Sequence, residues 1–287
     1  MHPSLSAATL RSLPSFLRKF AAAAVDGSTS DLLKTIGHAR AQPPPISLLF
    51  LPVFHAHLDP AKARLLARKD PEGLAPADAN LVVLAFLGLQ GLSVIQEIPG
   101  GACPDLWPGV SQWSQLIVRH HDCLAAVLKQ TSEGPITALF VIVRIHKLCE
   151  DTSYAKTIAA APGLRTMVAS VWVLLSRKNV WKPGLQTEGC NAALHFVGFM
   201  MDLENRQHLD DLVEGCGGSL GDFATLLVKC ISHLGSGTSI ECCEYSCHFT
   251  REYEYSYSRV GGGCATRASA SIGLQKPWYS RIFAWLP

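Results

Sequence analysis

Residues 46–60 read ISLLFLPVFHAHLDP. An apolar run ends in His55 and His57, with Asp59 just beyond. The fold turns on how this run is read. On a β-strand, alternate side chains share a face, and a His-x-His at the strand end begins the metal site of many barrel-type hydrolases. Further His, Glu or Asp ligands then come from the ends of later strands. On a helix, residues two apart point about 200° away from one another, so the two histidines cannot share an ion. The rest of the chain decides for the helix. No segment before residue 250 shows sustained period-two alternation. The expectation is therefore a helix end carrying one exposed histidine, with Pro52 permitting a short loop, and the metal-dependent hydrolase through His55 and His57 is the competing reading.

Working outward, apolar residues recur at helical spacing almost everywhere. Leu164, Met167, Val168, Val171, Trp172, Leu174 and Leu175 fall on one stripe. Pro162-Gly163 precede it, and Arg177 and Lys178 close it at the negative end of the helix dipole. Leu106, Val110, Trp113, Ile117, Leu124 and Leu128 form a second stripe, with Asp105 read as N-cap and Pro108 in the first turn. Ile136, Leu139, Phe140 and Val143 follow a Gly134-Pro135 start. Phe196, Val197, Met200 and Met201 make a fourth stripe, and Leu220, Phe223, Leu227, Ile231 and Leu234 a fifth.

Short breakers such as QPPP (42–45), IPGGACP (98–104), APG (161–163) and GCGGS (215–219) separate these stripes. The pattern predicts an all-α chain of about ten helices joined by short loops, many for one bundle core. An armadillo/HEAT-like α-solenoid or an irregular multi-helix array is expected. Three regions are read: N-terminal helices over 1–74, a helical-repeat core over 75–234, and a poorly structured or disordered tail over 235–287. In the tail the helical period stops, and REYEYSYSRV alternates like a strand with no evident partner.

Composition narrows the function classes. The chain has 287 residues, 48% hydrophobic and 17% charged, with a formal net charge of +2. That balance calls for neither nucleic acid nor an anionic membrane. Mean hydropathy is +0.19, so much of the chain must be buried. The longest apolar run, Leu81 to Ile95, is broken by Gly88, Gln90 and Gly91 and is read as a buried central helix, not a span. Six of the ten cysteines stand singly (Cys103, Cys123, Cys149, Cys190, Cys216, Cys230), and no secretory signal is read. Reduced thiols in an intracellular protein, cytoplasmic or nuclear, are expected. Arg11, Arg18 and Lys19 precede the first acid, Asp26, so residues 1–25 read as a basic amphipathic helix with a mitochondrial presequence as the alternative.

Other candidate sites are weak. His120 and His121 lie by the stripe of Ile117 and Leu124, and His120 with Cys123 is one potential ligand pair without a second. Cys242, Cys243, Cys247 and His248 form the densest ligand group, with Cys264 beyond, yet the paired C-x2-C spacing of a zinc finger is missing. A zinc-binding adaptor through that cluster is a further alternative. GCGGSLGDF lacks the Gly-Lys-Ser/Thr of a phosphate loop. Gly217-Gly218-Ser219-Leu220-Gly221 within it spells G-x-S-x-G, but no strand leads into it as a nucleophile elbow requires, and there is no H-E-x-x-H.

Two stretches carry a family likeness. CPDLWPGVSQWSQLIV (103–118) and APGLRTMVASVWVLLSRK (161–178), through Trp107, Pro108, Trp113, Pro162, Gly163, Trp172 and Leu174-Leu175, resemble the helical region of fungal MYND-type zinc-finger proteins. GGSLGDFATLLVKCISHL (217–234) fits the helix that follows there. The resemblance spans roughly residues 75–234 and implies an armadillo-like region without the finger. Zinc is implied only for related full-length proteins, and the tail is expected to be a truncated or aberrantly spliced end. The tryptophans are read as packing anchors. A non-enzymatic scaffold that binds a partner protein in a groove between stacked helices is the expected function, without cofactor. Arg119, Arg144, Lys147 and Arg165 are the polar positions offered for that groove.

Overall fold

A computed structural model describes residues 1–68, 74–120, 133–149, 153–176, 206–219 and 221–222. All of them belong to one compact unit, Met1–Leu226. Among the described residues every regular element is helical and there is no strand. The described residues form a multi-helix all-α fold.

Two 3-10 segments, Pro3–Leu5 and Ala7–Ser12, lead into α1 (Ser15–Val25). Its buried Leu17, Ala21 and Ala24 recur at helical spacing, as expected of a basic amphipathic first helix. Gly27, at φ 96°, turns the chain into α2 (Thr29–Ala41). Ser28 caps α2: its Oγ accepts from the Asp31 N–H at 3.3 Å and donates to the Asp31 carboxylate at 2.7 Å. α1 and α2 pack as a helical hairpin. A one-turn α3 (Pro44–Ser47) follows the proline cluster.

The opening stretch is α4 (Leu51–Ala56), with Pro52 in its first turn, where no intrahelical donor is lost. The loop that Pro52 would have permitted does not form. His57 ends the helix, and the elbow His57-Leu58-Asp59 leads into α5 (Pro60–Ala67). Asp59 caps α5, its carboxylate accepting from the Ala61 N–H at 2.8 Å.

α6 (Pro76–Val94) is the central helix that the apolar run predicts. It packs against α2 and α4 and against the two helices that follow it, so its residues from Val82 to Val94 are apolar almost all round. Its glycines have a steric reason. A Cβ on Gly91 would stand 2.1 Å from the ring of Phe54, which rests on the bare backbone. Among the described residues, α6 is the helix long and apolar enough to cross a membrane, and 61% of the window that passes that test is buried inside the protein.

α7 (Cys103–Arg119) buries Leu106, Val110, Trp113 and Ile117 of the stripe read from sequence, with Trp107 beside them; Leu124 and Leu128 of that stripe lie outside the described residues. Its start differs from that reading. Asp105 lies inside the first turn and Pro108 inside the helix, because the helix begins at Cys103 instead of after Asp105. Pro108 has no N–H to give the Pro104 carbonyl. The Tyr154 hydroxyl donates to that carbonyl instead, at 3.4 Å.

α8 (Glu133–Leu148) packs on α6 and α7. A short α9 (Tyr154–Ala159) leads to the APG turn, where Gly163 takes φ 71° before α10 (Leu164–Ser176). Leu164, Met167, Val168 and Val171 of the expected stripe are buried. The side chains of Trp172 and Leu175 lie outside what the structure describes. α11 (Arg206–Gly215) packs on α10. Thr166 Oγ1 donates to the Asp211 carbonyl at 3.3 Å, and Arg165 meets the Asp211 carboxylate at 3.6 Å. Gly217 and Gly218, both at positive φ, carry the chain away. The stripes at 196–201 and 220–234, His121, Cys123, the cluster of Cys242, Cys243, Cys247 and His248, and the whole 235–287 tail lie outside the described residues, apart from Gly221-Asp222.

Candidate functional site

The His-x-His comes first. The ring N–H of His57 donates to the Ala24 carbonyl at 2.8 Å, tying the end of α4 to α1. His55, on another side of the helix, lies nearer the charges of Asp105 and Asp59. The helix therefore separates the two rings, and both are half-buried, where one exposed histidine was expected. His120 is buried with its Nε2 unpartnered. Among the described residues no group of three His, Cys, Asp or Glu converges as metal ligands would.

Burial works on all these titrating groups in one sense. It pushes the imidazoles of His55, His57 and His120 below their ordinary value of 6.5. It pushes the thiols up, Cys103 to about 12 and Cys216 to about 11, with Cys149 raised beside Cys103. The neighbouring Cys103 and Cys149 thiols hydrogen-bond to one another. The linkage has a definite sign at each end. Below pH 6.5 the unfolded chain takes up protons that the folded histidines refuse, so stability falls as pH drops. Above pH 9 the unfolded thiols ionise while the folded ones stay neutral, so stability falls again. The thermal midpoint should form a plateau between about pH 7 and pH 9 and decline on both sides. A midpoint that rises from pH 7 to pH 5 contradicts this account.

A groove of about 830 Å³ is bounded by α5, α7, α10 and the end of α11. Each helix supplies one face at helical spacing. α5 gives Ala63, Arg64 and Ala67; α7 gives Gln112, Gln115, Leu116 and Arg119. α10 gives Thr166, Met167, Ser170, Val173 and Leu174, with Gly215 to Gly217 at one end. The seven-residue step from Gln112 to Arg119 is two helical turns, about 10 Å of groove.

The polar floor is partly committed to holding the helices together. Gln115 Nε2 donates to the Pro162 carbonyl at 3.1 Å, bridging α7 to the APG turn. Ser170 Oγ lies within reach of the Gly215 carbonyl at the end of α11, at 3.4 Å, as well as of the Thr166 carbonyl on its own helix at 2.9 Å. Arg119 Nη1 donates to the Ala67 carbonyl at 3.3 Å, which fixes one edge of its guanidinium at the end of α5. Arg64 and Arg119 are both exposed, and among the described lining residues there is no Asp or Glu.

The four basic residues named from sequence divide. Arg119 lines the groove. Arg144 does not: its guanidinium donates to the carbonyls of Leu92 at 3.2 Å, Ser93 at 3.1 Å and Gln96 at 2.6 Å. It closes the carboxyl end of α6, where the last carbonyls have no intrahelical donor. Arg165 is buried between α9 and α11, donating to the Ala159 carbonyl at 2.9 Å. Lys147 is in the last turn of α8 and is not in the groove lining. Of the packing residues, Trp107 and Trp113 are buried, Pro108 sits in α7, and Pro162 and Gly163 make the turn that Gln115 holds.

Sequence reasoning missed Gln112, Gln115, Thr166 and Ser170. A signal existed: Gln112, Gln115 and Arg119 lie at i, i+3 and i+7, a polar stripe on a helix whose other faces are apolar. What the stripe faces depends on α5 and α10, which are distant in sequence. Comparison of the chain with family models, with curated proteins and with solved structures yields no match.

Proposed function

We propose that this chain is a non-enzymatic helical scaffold, stacked in the armadillo or HEAT manner, that holds a segment of a partner protein in the groove of α5, α7 and α10. The observation that carries the reading is the groove itself. Side chains from three helices converge on about 830 Å³ of space, with exposed arginines and no described acid among them. The order of packing supports the stacking: α2 on α6, α6 on α7 and α8, α7 and α8 on α10, α10 on α11. The likeness of residues 75–234 to the helical region of fungal MYND-type proteins belongs to the same proposal, as do an intracellular location and independence of zinc, nucleic acid and membrane. Two observations weigh for a scaffold and against a hydrolase centred on His55 and His57. The two rings serve different neighbours, and one N–H of His57 is spent on the Ala24 carbonyl.

A photo-crosslinking residue placed at Ala67 or at Leu65 tests it. Both positions are exposed and lie on α5, but Ala67 lines the groove and Leu65 does not. In the full chain, within its native cell extract, Ala67 should give a discrete protein adduct and Leu65 none. Equal labelling from both positions removes the reading. So does an equivalent of zinc or manganese in the purified protein that is lost with His55→Ala.

A further inference from the structure

We infer that the groove selects an acidic, extended segment, with carboxylates of the partner seated on Arg64 and Arg119; this rests on the scaffold reading above. The shape asks for an extended chain. The lining runs from Gly163, just before α10, to Leu174 near its end, eleven residue steps or about 16 Å of helix. At about 3.3 Å per residue, a strand-like peptide of about five residues spans it. The apolar part of the lining, Leu116, Met167, Val173 and Leu174, gives such a peptide somewhere to rest its alternate apolar side chains.

The sign comes from the arginines. Guanidinium matches carboxylate geometry with paired donors, and its charge does not titrate away. Arg119 is partly anchored, since one of its donors already serves the Ala67 carbonyl. Anchoring lowers the side-chain entropy lost when a ligand carboxylate arrives. Arg64 stands on α5, three residues before Ala67, at the same wall. Neither arginine is paired with a carboxylate within the described protein, although Arg165 is. The chain's net charge of only +2 makes this a local preference of the groove, not a general attraction for anions.

The test uses the full chain and three fluorescein-labelled dodecapeptides that alternate Leu with Glu, Gln or Lys, followed by fluorescence anisotropy. The Glu peptide should bind at least tenfold more tightly than the Gln peptide, the Lys peptide should bind worst, and the preference should shrink in high salt. The double substitution Arg64→Glu with Arg119→Glu should weaken the Glu peptide at least tenfold and raise affinity for the Lys peptide. Both positions are exposed, so folding is checked simply by an unchanged circular-dichroism spectrum. Ala67→Trp, which fills the groove, should abolish binding of every peptide. If the Gln peptide binds as well as the Glu peptide and Ala67→Trp blocks both, the groove reading stands and the acidic preference is overturned. If the Glu peptide fails to bind, or binds the double variant unchanged, the inference is overturned as well.

Discussion

Trp113→Ala should lower the free energy of unfolding by about 4 kcal/mol, the middle of the range for truncating a buried aromatic. Trp113 is among the largest fully buried side chains of the described core. Its loss removes the apolar contacts of the indole and leaves a cavity that the surrounding helices close only in part. It also removes a specific bond. The indole N–H donates to the Asp59 carbonyl at 3.0 Å, fifty-four residues away. Asp59 is the residue whose carboxylate caps α5, so the indole holds the elbow from which α5 departs, and with it one wall of the groove. Trp113→Phe separates the two contributions. It keeps most of the ring but removes the indole donor, leaving the Asp59 carbonyl with the Ala63 N–H alone at 3.3 Å, a loss of about 1 kcal/mol. Urea unfolding followed by far-UV circular dichroism measures both. A loss below 1 kcal/mol for Trp113→Ala would mean the indole is not the bolt described.

The sequence disclosed the helices because burial is periodic and local. Leu106, Val110, Trp113 and Ile117 announce one face of α7 without any knowledge of what covers it. Leu164, Met167, Val168 and Val171 do the same for α10. The nature of the His55 and His57 stretch was legible for the same reason: with no strand-like alternation before residue 250, it had to be a helix end. What stayed hidden depends on contacts between distant segments. Arg144 reads as a groove position in sequence, yet it closes the end of α6 some fifty residues earlier. Pro108 reads as a helix start, since proline within a helix normally costs about 3 kcal/mol. Tyr154, forty-six residues later, supplies the donor that makes it tolerable. The groove is the extreme case: Gln112 and Gln115 are unremarkable polar residues until α5 and α10 stand opposite them.

Gly109→Ala tests the same junction from the other side, and the outcome turns on a competition of magnitudes. In an exposed helix interior, replacing glycine by alanine stabilises by about 1 kcal/mol through the unfolded chain and helix propensity. Gly37, in α2, is such a place: an added Cβ meets nothing within 4 Å. Gly37→Ala should therefore raise stability by up to about 1 kcal/mol. At Gly109 the added Cβ would lie 2.1 Å from the Leu58 carbonyl oxygen and 3.1 Å from its carbon. That obstacle is backbone, and Leu58 is fully buried. It cannot rotate aside, so α7 and the elbow must part. Overpacking of this kind costs about 3 kcal/mol or more, enough to outweigh the propensity gain and leave a net loss of about 2 kcal/mol. The displacement also reaches Trp113, one helical turn along, whose partner carbonyl is the next residue after Leu58. The two substitutions should then fail to add. With the elbow already pushed away, Trp113→Ala should cost at least 1 kcal/mol less in the Gly109→Ala background than alone. Equal costs in both backgrounds would show that α7 meets the elbow at two independent points instead of one.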